Sequence, residues 1–176
     1  RVGLSRELPK TKVWLQDAGR DELRVGLVAS SGALRLRSEG LEMDPNFQRA
    51  YPIDRWFLDS ADDVRSSYSL EVAMTEFACQ GLEVDFTGVC WDADLRIEDD
   101  EWRCHKFFGG SWRTIKKPED QQYLLNKYRV LLTRAREGMV IFVPKGSIDD
   151  PTRNPTWYNK TANYLLRCGL SSIDGT

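Results

Sequence analysis

The segment Tyr128-Arg129-Val130-Leu131-Leu132-Thr133-Arg134-Ala135-Arg136-Glu137 runs directly into Gly138-Met139-Val140-Ile141-Phe142-Val143-Pro144. It reads as an amphipathic helix that carries a Thr-Arg-Ala-Arg element into a glycine stop and then a short, fully apolar strand. A helix feeding a buried strand is a unit of α/β architecture. Two arginines at that junction are either a positioned cation aimed at an anion or solvated positions on an ordinary helix. The junction alone leaves both open.

Earlier in the chain, Arg24-Val25-Gly26-Leu27-Val28-Ala29 reads as a buried strand, Ser30-Ser31-Gly32 as a small polar turn, and residues 33–39 as a helix stopped by Gly40. Strand, small turn, helix is the βα unit of a parallel sheet. Serines that open a helix satisfy its free N–H groups or leave them for a phosphate, and capping is the more common role. Residues 2–5 read as a short strand. Residues 7–18 read as a helix, with Pro9 tolerated in its first turn. Residues 42–60 read as an irregular connection with buried aromatics. Residues 70–75 fit a strand or a helix by pattern alone, and residues 82–91 read as a strand. A strong helix is expected over residues 118–137, with Leu124, Tyr128, Leu131 and Ala135 on its apolar stripe. Residues 149–154 are turn-rich, and residues 156–168 close the chain as a helix capped by Gly169.

Between these elements, Glu98-Asp99-Asp100-Glu101 resembles a solvated hairpin tip, because consecutive carboxylates on a turn point in different directions. Residues 102–117 interleave aromatic and basic side chains. That composition suits a single-stranded nucleic-acid surface, where rings stack on bases and cations track phosphates. It suits equally a small ribbon with one aromatic, packed face, and that simpler reading is somewhat favoured.

At 176 residues, with 41% hydrophobic and 30% charged side chains, the chain is expected to be one domain with a real core. No apolar run approaches the ~20 residues of a membrane helix. The start at Arg1 shows neither an initiator Met nor a signal-peptide pattern, which reads as a cut inside a longer protein. A net charge of −2 and a pI near 5.6 leave any polyanion to be held by local clusters. Cys79, Cys90, Cys104 and Cys168 are scattered, and Cys104-His105 is poor spacing for a zinc site, so reduced thiols, no metal centre and a cytoplasmic location are expected.

Two strings then converge. Thr75-Glu76-Phe77-Ala78-Cys79-Gln80-Gly81-Leu82-Glu83 leads into Val84-Asp85-Phe86, and Val130-Leu131-Leu132-Thr133-Arg134-Ala135-Arg136 follows some fifty residues later. In this order they resemble two motifs of the second RecA-like domain of superfamily-one helicases. With Leu27-Val28-Ala29-Ser30-Ser31-Gly32-Ala33, the match is most similar to a bacterial ATPase family related to the helicase half of Schlafen proteins. The resemblance spans residues 2–170.

It implies a three-layer α/β, RecA-like (P-loop NTPase-type) domain over residues 1–176. Its sheet would be mainly parallel, with a small β-hairpin insertion at about residues 92–117. It makes residues 70–75 a strand and residues 77–80 a helical turn. Arg134 then matches the arginine that reaches the γ-phosphate across a cleft between two such domains, a role suited to a planar, permanent cation. Gln80 and Gly81 match γ-phosphate-sensing positions, and Glu83 a carboxylate near the ribose. Arg136 joins this nucleotide-side group, either reaching the nucleotide or bracing the helix. Ser30, Ser31, Thr75 and Phe77 fall on the nucleic-acid side.

Two positions depart from the helicase pattern: Phe77 where histidine is common, and Gln80 where lysine is usual. No G-x-x-x-x-G-K-[ST] string occurs, and no Asp-Glu element follows a strand in a suitable place. The resemblance therefore assigns ATP and Mg2+ mainly to an upstream RecA-like domain of the same polypeptide. It names single-stranded DNA or RNA as the further partner, and leaves the chain alone inactive. The alternative is a non-motor RecA-like module that binds nucleic acid or protein. An unrelated doubly wound domain with coincidental motifs is the third reading.

Overall fold

The computed structural model describes residues 2–20 and 23–175, so the expected outer bounds Arg1 and Thr176 lie outside the described residues. The main sheet has six strands among the described residues. They are β1 (Val2–Ser5), β2 (Val25–Ala29), β3 (Ala73–Thr75), β4 (Val84–Cys90), β8 (Ala135–Phe142) and β9 (Ser171–Ser172). Their order is β3-β2-β4-β8-β1-β9, and every pairing is parallel. A second, antiparallel sheet holds β5 (Leu95–Glu98), β6 (Glu101–Phe108) and β7 (Ser111–Thr114).

The strands are apolar along their length because both faces are covered. Leu27, Ala29, Cys90, Val140 and Phe142 pack with Leu15 of α1 (Leu8–Ala18) and with Leu36 of the 3-10 turn Leu34–Glu39. Val28, Val89 and Ile141, offset by one residue, pack on the other face. There they meet Leu124, Tyr128 and Leu131 of α4 (Pro118–Leu132), and Tyr158 and Leu165 of α5 (Pro155–Arg167). The result is the expected three-layer α/β arrangement, consistent with a RecA-like fold.

Local chemistry sets the helix ends. Pro9 sits in the first turn of α1, Pro118 opens α4 with Glu119 and Asp120 behind it, and Asn154 caps α5 by accepting from Thr156 N at 2.9 Å. Gly40 closes the 3-10 turn at φ 93°, a conformation that favours glycine.

Several expectations need correction. Residues 42–60 are not irregular: α2 (Pro45–Ala50) is capped by Asp44, and α3 (Ile53–Leu58) seats Trp56 in the core. The strand expected at 70–75 is only Ala73–Thr75, since Leu70 adopts φ 54° at the end of the 3-10 turn Ser67–Ser69. Residues 77–80 do form the expected helical turn, closed by Cys79 N donating to Thr75 O at 2.9 Å. The insertion is a three-stranded ribbon, with Asp99 and Asp100 at positive φ in the β5–β6 tip. β9 carries no strand signal in its sequence.

The largest correction concerns the Thr-Arg-Ala-Arg element. α4 ends at Leu132, where Thr133 Oγ1 donates to Arg129 O and Val130 O, each at 3.0 Å. Ala135 and Arg136 already belong to β8, and Gly138 lies inside that strand opposite Phe86 instead of stopping a helix. Pairing with β4 and β1 outweighs the good helix propensity of Ala, Arg and Glu.

Candidate functional site

Because the strands run parallel, the sheet has one amino edge and one carboxyl edge. β3 pairs with the far half of β2, so the chain leaves it at the carboxyl edge and must return to start β4. Residues 76–83 make that return over the α4 face, with Cys79 buried among Met74 and Val84. This segment separates the singled-out residues into two groups. β4 is seven residues long, so the groups lie roughly 20 Å apart.

At the amino edge stand Gln80, Gly81, Glu83, Arg134 and Arg136. Arg134 is half-buried, and its backbone carbonyl accepts from Val84 N at 3.0 Å. Its guanidinium donates from Nε to Val130 O at 3.0 Å, from Nη1 to Leu82 O at 3.2 Å and from Nη2 to Thr133 Oγ1 at 3.2 Å. A guanidinium carries five N–H groups, so two stay available to an anion. Gly81 has φ +80°, a Cβ there would meet no atom within 4 Å, and Gln80 beside it is exposed. Arg136 and Glu83, both exposed, pair at 3.3 Å. Burial pushes the Cys79 thiol up to about 11 despite the opposing field of Arg134. The group amounts to a braced arginine beside an open, glycine-containing turn.

At the carboxyl edge stand Ser30, Ser31, Thr75 and Phe77. Ser30 has no exposed surface and donates to Asp94 Oδ2 at 2.6 Å, so it shapes the turn instead of presenting a hydroxyl. Thr75 is also buried, whereas the Phe77 ring is 59% exposed. Ser31 gives both its N–H and its hydroxyl to the Glu76 carboxylate, at 2.8 and 2.6 Å. Lys127 Nζ meets that carboxylate at 3.1 Å and the Ser31 hydroxyl at 2.8 Å.

Beneath this cluster lie Asp92 and Asp94, buried just after β4. Burial, reinforced by Asp92, pushes Asp94 up to about 7, against the hydrogen bonds from Ser30 and Tyr128. Burial also raises Asp92, which accepts from Tyr158 OH at 2.7 Å and Arg35 N at 2.9 Å. Motif reasoning on the sequence overlooked Lys127, Glu76 and the aspartate pair. The available signals were a lysine beside the apolar stripe of α4 and two carboxylates alternating after Trp91 at a strand end.

No group of three or more His, Cys, Asp or Glu side chains among the described residues is arranged to hold a metal ion. No helix among them is long and apolar enough to cross a membrane.

No curated protein and no solved structure matches the chain. A family model described as Schlafen group 3, DNA/RNA helicase domain, matches residues 2–145, which contain both edge groups and the ribbon. The chain, a helicase-related domain, therefore belongs to the Schlafen group 3 DNA/RNA helicase-domain family.

Proposed function

We propose that the chain is the C-terminal RecA-like motor half of an ATP-dependent nucleic-acid helicase or translocase. In this reading an upstream RecA-like domain of the same polypeptide holds ATP and Mg2+, and Arg134 completes the site. Arg134 carries the proposal. It sits at the amino edge with two spare N–H groups, braced at three acceptors beside the open turn at Gly81. A fixed cationic fork of that kind suits the charge that develops on a transferring phosphoryl group, and costs little reorganisation during the reaction.

Each remaining residue has a part in this reading. Gln80 and Gly81 approach the γ-phosphate, Glu83 lies toward the ribose, and Arg136 holds Glu83 in place through their ion pair. Ser31 and Phe77 face single-stranded DNA or RNA at the other edge, while Ser30 and Thr75 shape that surface from within. The magnesium ligands belong to the upstream domain.

The test is Arg134→Ala in a protein that includes the upstream domain. Nucleic-acid-stimulated ATP hydrolysis should fall by about 10³-fold or more, with binding of a fluorescent ATP analogue largely retained. Unchanged turnover would overturn the arginine-finger role. The isolated chain should release no phosphate from ATP, and a clear burst from it would overturn the two-domain reading. Gln80, which places a neutral amide where a cation is usual, favours the second reading of a non-motor module binding nucleic acid or protein. That reading wins if the upstream domain lacks the phosphate-loop lysine.

A further inference from the structure

The carboxyl edge holds two cavities that share Ser31. One, of about 630 Å3, lies between the short helices α2 and α3 and the turn after β3, with Tyr51, Arg49 and Phe77 on its walls. The other, of about 640 Å3, lies between the Ser31 turn, the ribbon and the first half of α4. Lys106, Lys116, Lys117 and Lys127 line this second cavity together with the rings of Phe107 and Tyr123.

Lys127 stands on the ridge between the two. Its ammonium is 5.6 Å from the Phe77 ring centre and 5.1 Å from that of Tyr123. Both rings are more than half exposed, at 59% and 53%. Two acceptors, Ser31 and Glu76, occupy Lys127, which leaves one of its three N–H groups for another anion. Lys106, Lys116 and Lys117 are exposed and have no ion-pair partner among the described residues. The carboxylates lining the second cavity are Asp94, which is buried, and Asp120. On a chain whose net charge is −2, this is a local excess of unpaired cations alternating with flat rings.

Rings that present a face to solvent at either side of an ammonium suit bases stacked on the rings with a phosphate on the cation. We propose that one strand of nucleic acid crosses the carboxyl edge from Phe77 over Lys127 to Tyr123 and continues into the ribbon cavity, where Lys106, Lys116 and Lys117 hold its phosphates. The antiparallel insertion is then a second wall of the binding track. Lys127 is its central contact, and Glu76 keeps that ammonium oriented toward the ridge. The proposal rests on the nucleic-acid side of the function proposed above and adds residues that the motif resemblance does not contain.

Fluorescence anisotropy of labelled oligo(dT) and oligo(U) at several salt concentrations tests it on this chain. The variants are Lys106→Gln/Lys116→Gln/Lys117→Gln, Tyr123→Ala, and Lys160→Gln as a control on α5, a residue that lines neither cavity. All these side chains are exposed, and matching circular-dichroism melts check the fold. The triple variant should bind at least tenfold more weakly, and its slope of log affinity against log salt should shrink by about 2, near 0.7 per lost phosphate contact. Tyr123→Ala should weaken binding about tenfold with the slope unchanged, and Lys160→Gln should match wild type.

If the strand binds wild type and the triple variant equally well, the ribbon track is overturned while the helicase-related reading stands. If folded wild type binds neither oligonucleotide, the track and the nucleic-acid side of the proposed function both fall. Displacement by poly-glutamate as efficient as by unlabelled strand would overturn nucleic acid as the occupant.

Discussion

Tyr128 donates its hydroxyl to Asp94 at 2.5 Å, and the other oxygen of the same carboxylate takes the Ser30 hydroxyl at 2.6 Å. A side chain of α4 is thereby tied to the turn after β2 through one buried carboxyl. Asp94 titrates near 7, against 3.8 for an ordinary aspartate. Between those values the folded chain keeps a proton that the unfolded chain has lost, so this group makes stability fall as pH rises, by ~1.4 kcal/mol per pH unit at most. Asp92, also raised by burial, contributes with the same sign. His105 opposes them. Burial, helped by Arg96, pushes its imidazole down to about 4 from 6.5, so in that window the unfolded chain binds the proton and stability rises with pH. With two groups acting one way and one the other, the wild-type Tm should hold level or fall as pH rises from about 4.5 to 6.5. In Asp94→Asn, an amide replaces the neutral carboxyl and the His105 contribution is left less opposed. Its Tm should therefore rise with pH relative to wild type over the same range. Parallel Tm curves for the two proteins would refute the assignment.

Glu76 and Lys127 form the second relationship open to test. Their side chains are only 6% and 15% exposed, so removing one partner strands a charge in a poorly solvated place. Lys127→Met should cost about 2–3 kcal/mol in urea denaturation. Glu76→Gln in the same chain should recover most of that loss, because the glutamine carbonyl still accepts from Ser31. A double-mutant cycle with no coupling would mean that the pair is not a stabilising unit.

Gly81 and Gly88 separate backbone strain from packing. Gly81 has φ +80° and open space around it, so Gly81→Ala should lower stability by about 1–2 kcal/mol through strain alone, and Gly81→Asn by less. At Gly88 a Cβ would lie 2.6 Å from Leu27 Cδ2 and 2.8 Å from Leu15 Cδ1, where α1 meets the sheet. Gly88→Ala should cost about 1–3 kcal/mol through overpacking. Adding Leu15→Ala should offset part of that cost, and should leave the Gly81→Ala penalty unchanged. Equal responses at the two positions would contradict the structural distinction.

Much of the architecture could be read locally. The run Val25–Ala29 with its serine turn, the proline that opens α4, and Gly169 after α5 each carry a signal within a few residues. Two misreadings have a common cause. Thr133–Arg136 looks helical by propensity, yet the strand begins at Ala135 because its backbone pairs with strands far away in sequence. β9, two serines long, has no apolar alternation to betray it and exists because it pairs with Gly3 and Leu4. The ordered motifs placed Arg134 beside Gly81 without any structure, but nothing local joins Ser31, Glu76 and Lys127, which are 45 and 96 residues apart by their hydrogen bonds.

The sequence by itself determined most of the main strands and helices and their order, and with the motif resemblance it implied the layering. Apolar strands alternating with amphipathic helices can bury both sheet faces only in a three-layer arrangement. Tertiary structure alone decided that residues 76–83 cross the sheet from its carboxyl to its amino edge. That follows from β3 pairing with the far half of β2, a contact set by strand register and not by any local preference. The crossing separates two groups at opposite edges of the sheet: Arg134 and the Gly81 turn at one, and Lys127 between two exposed rings at the other.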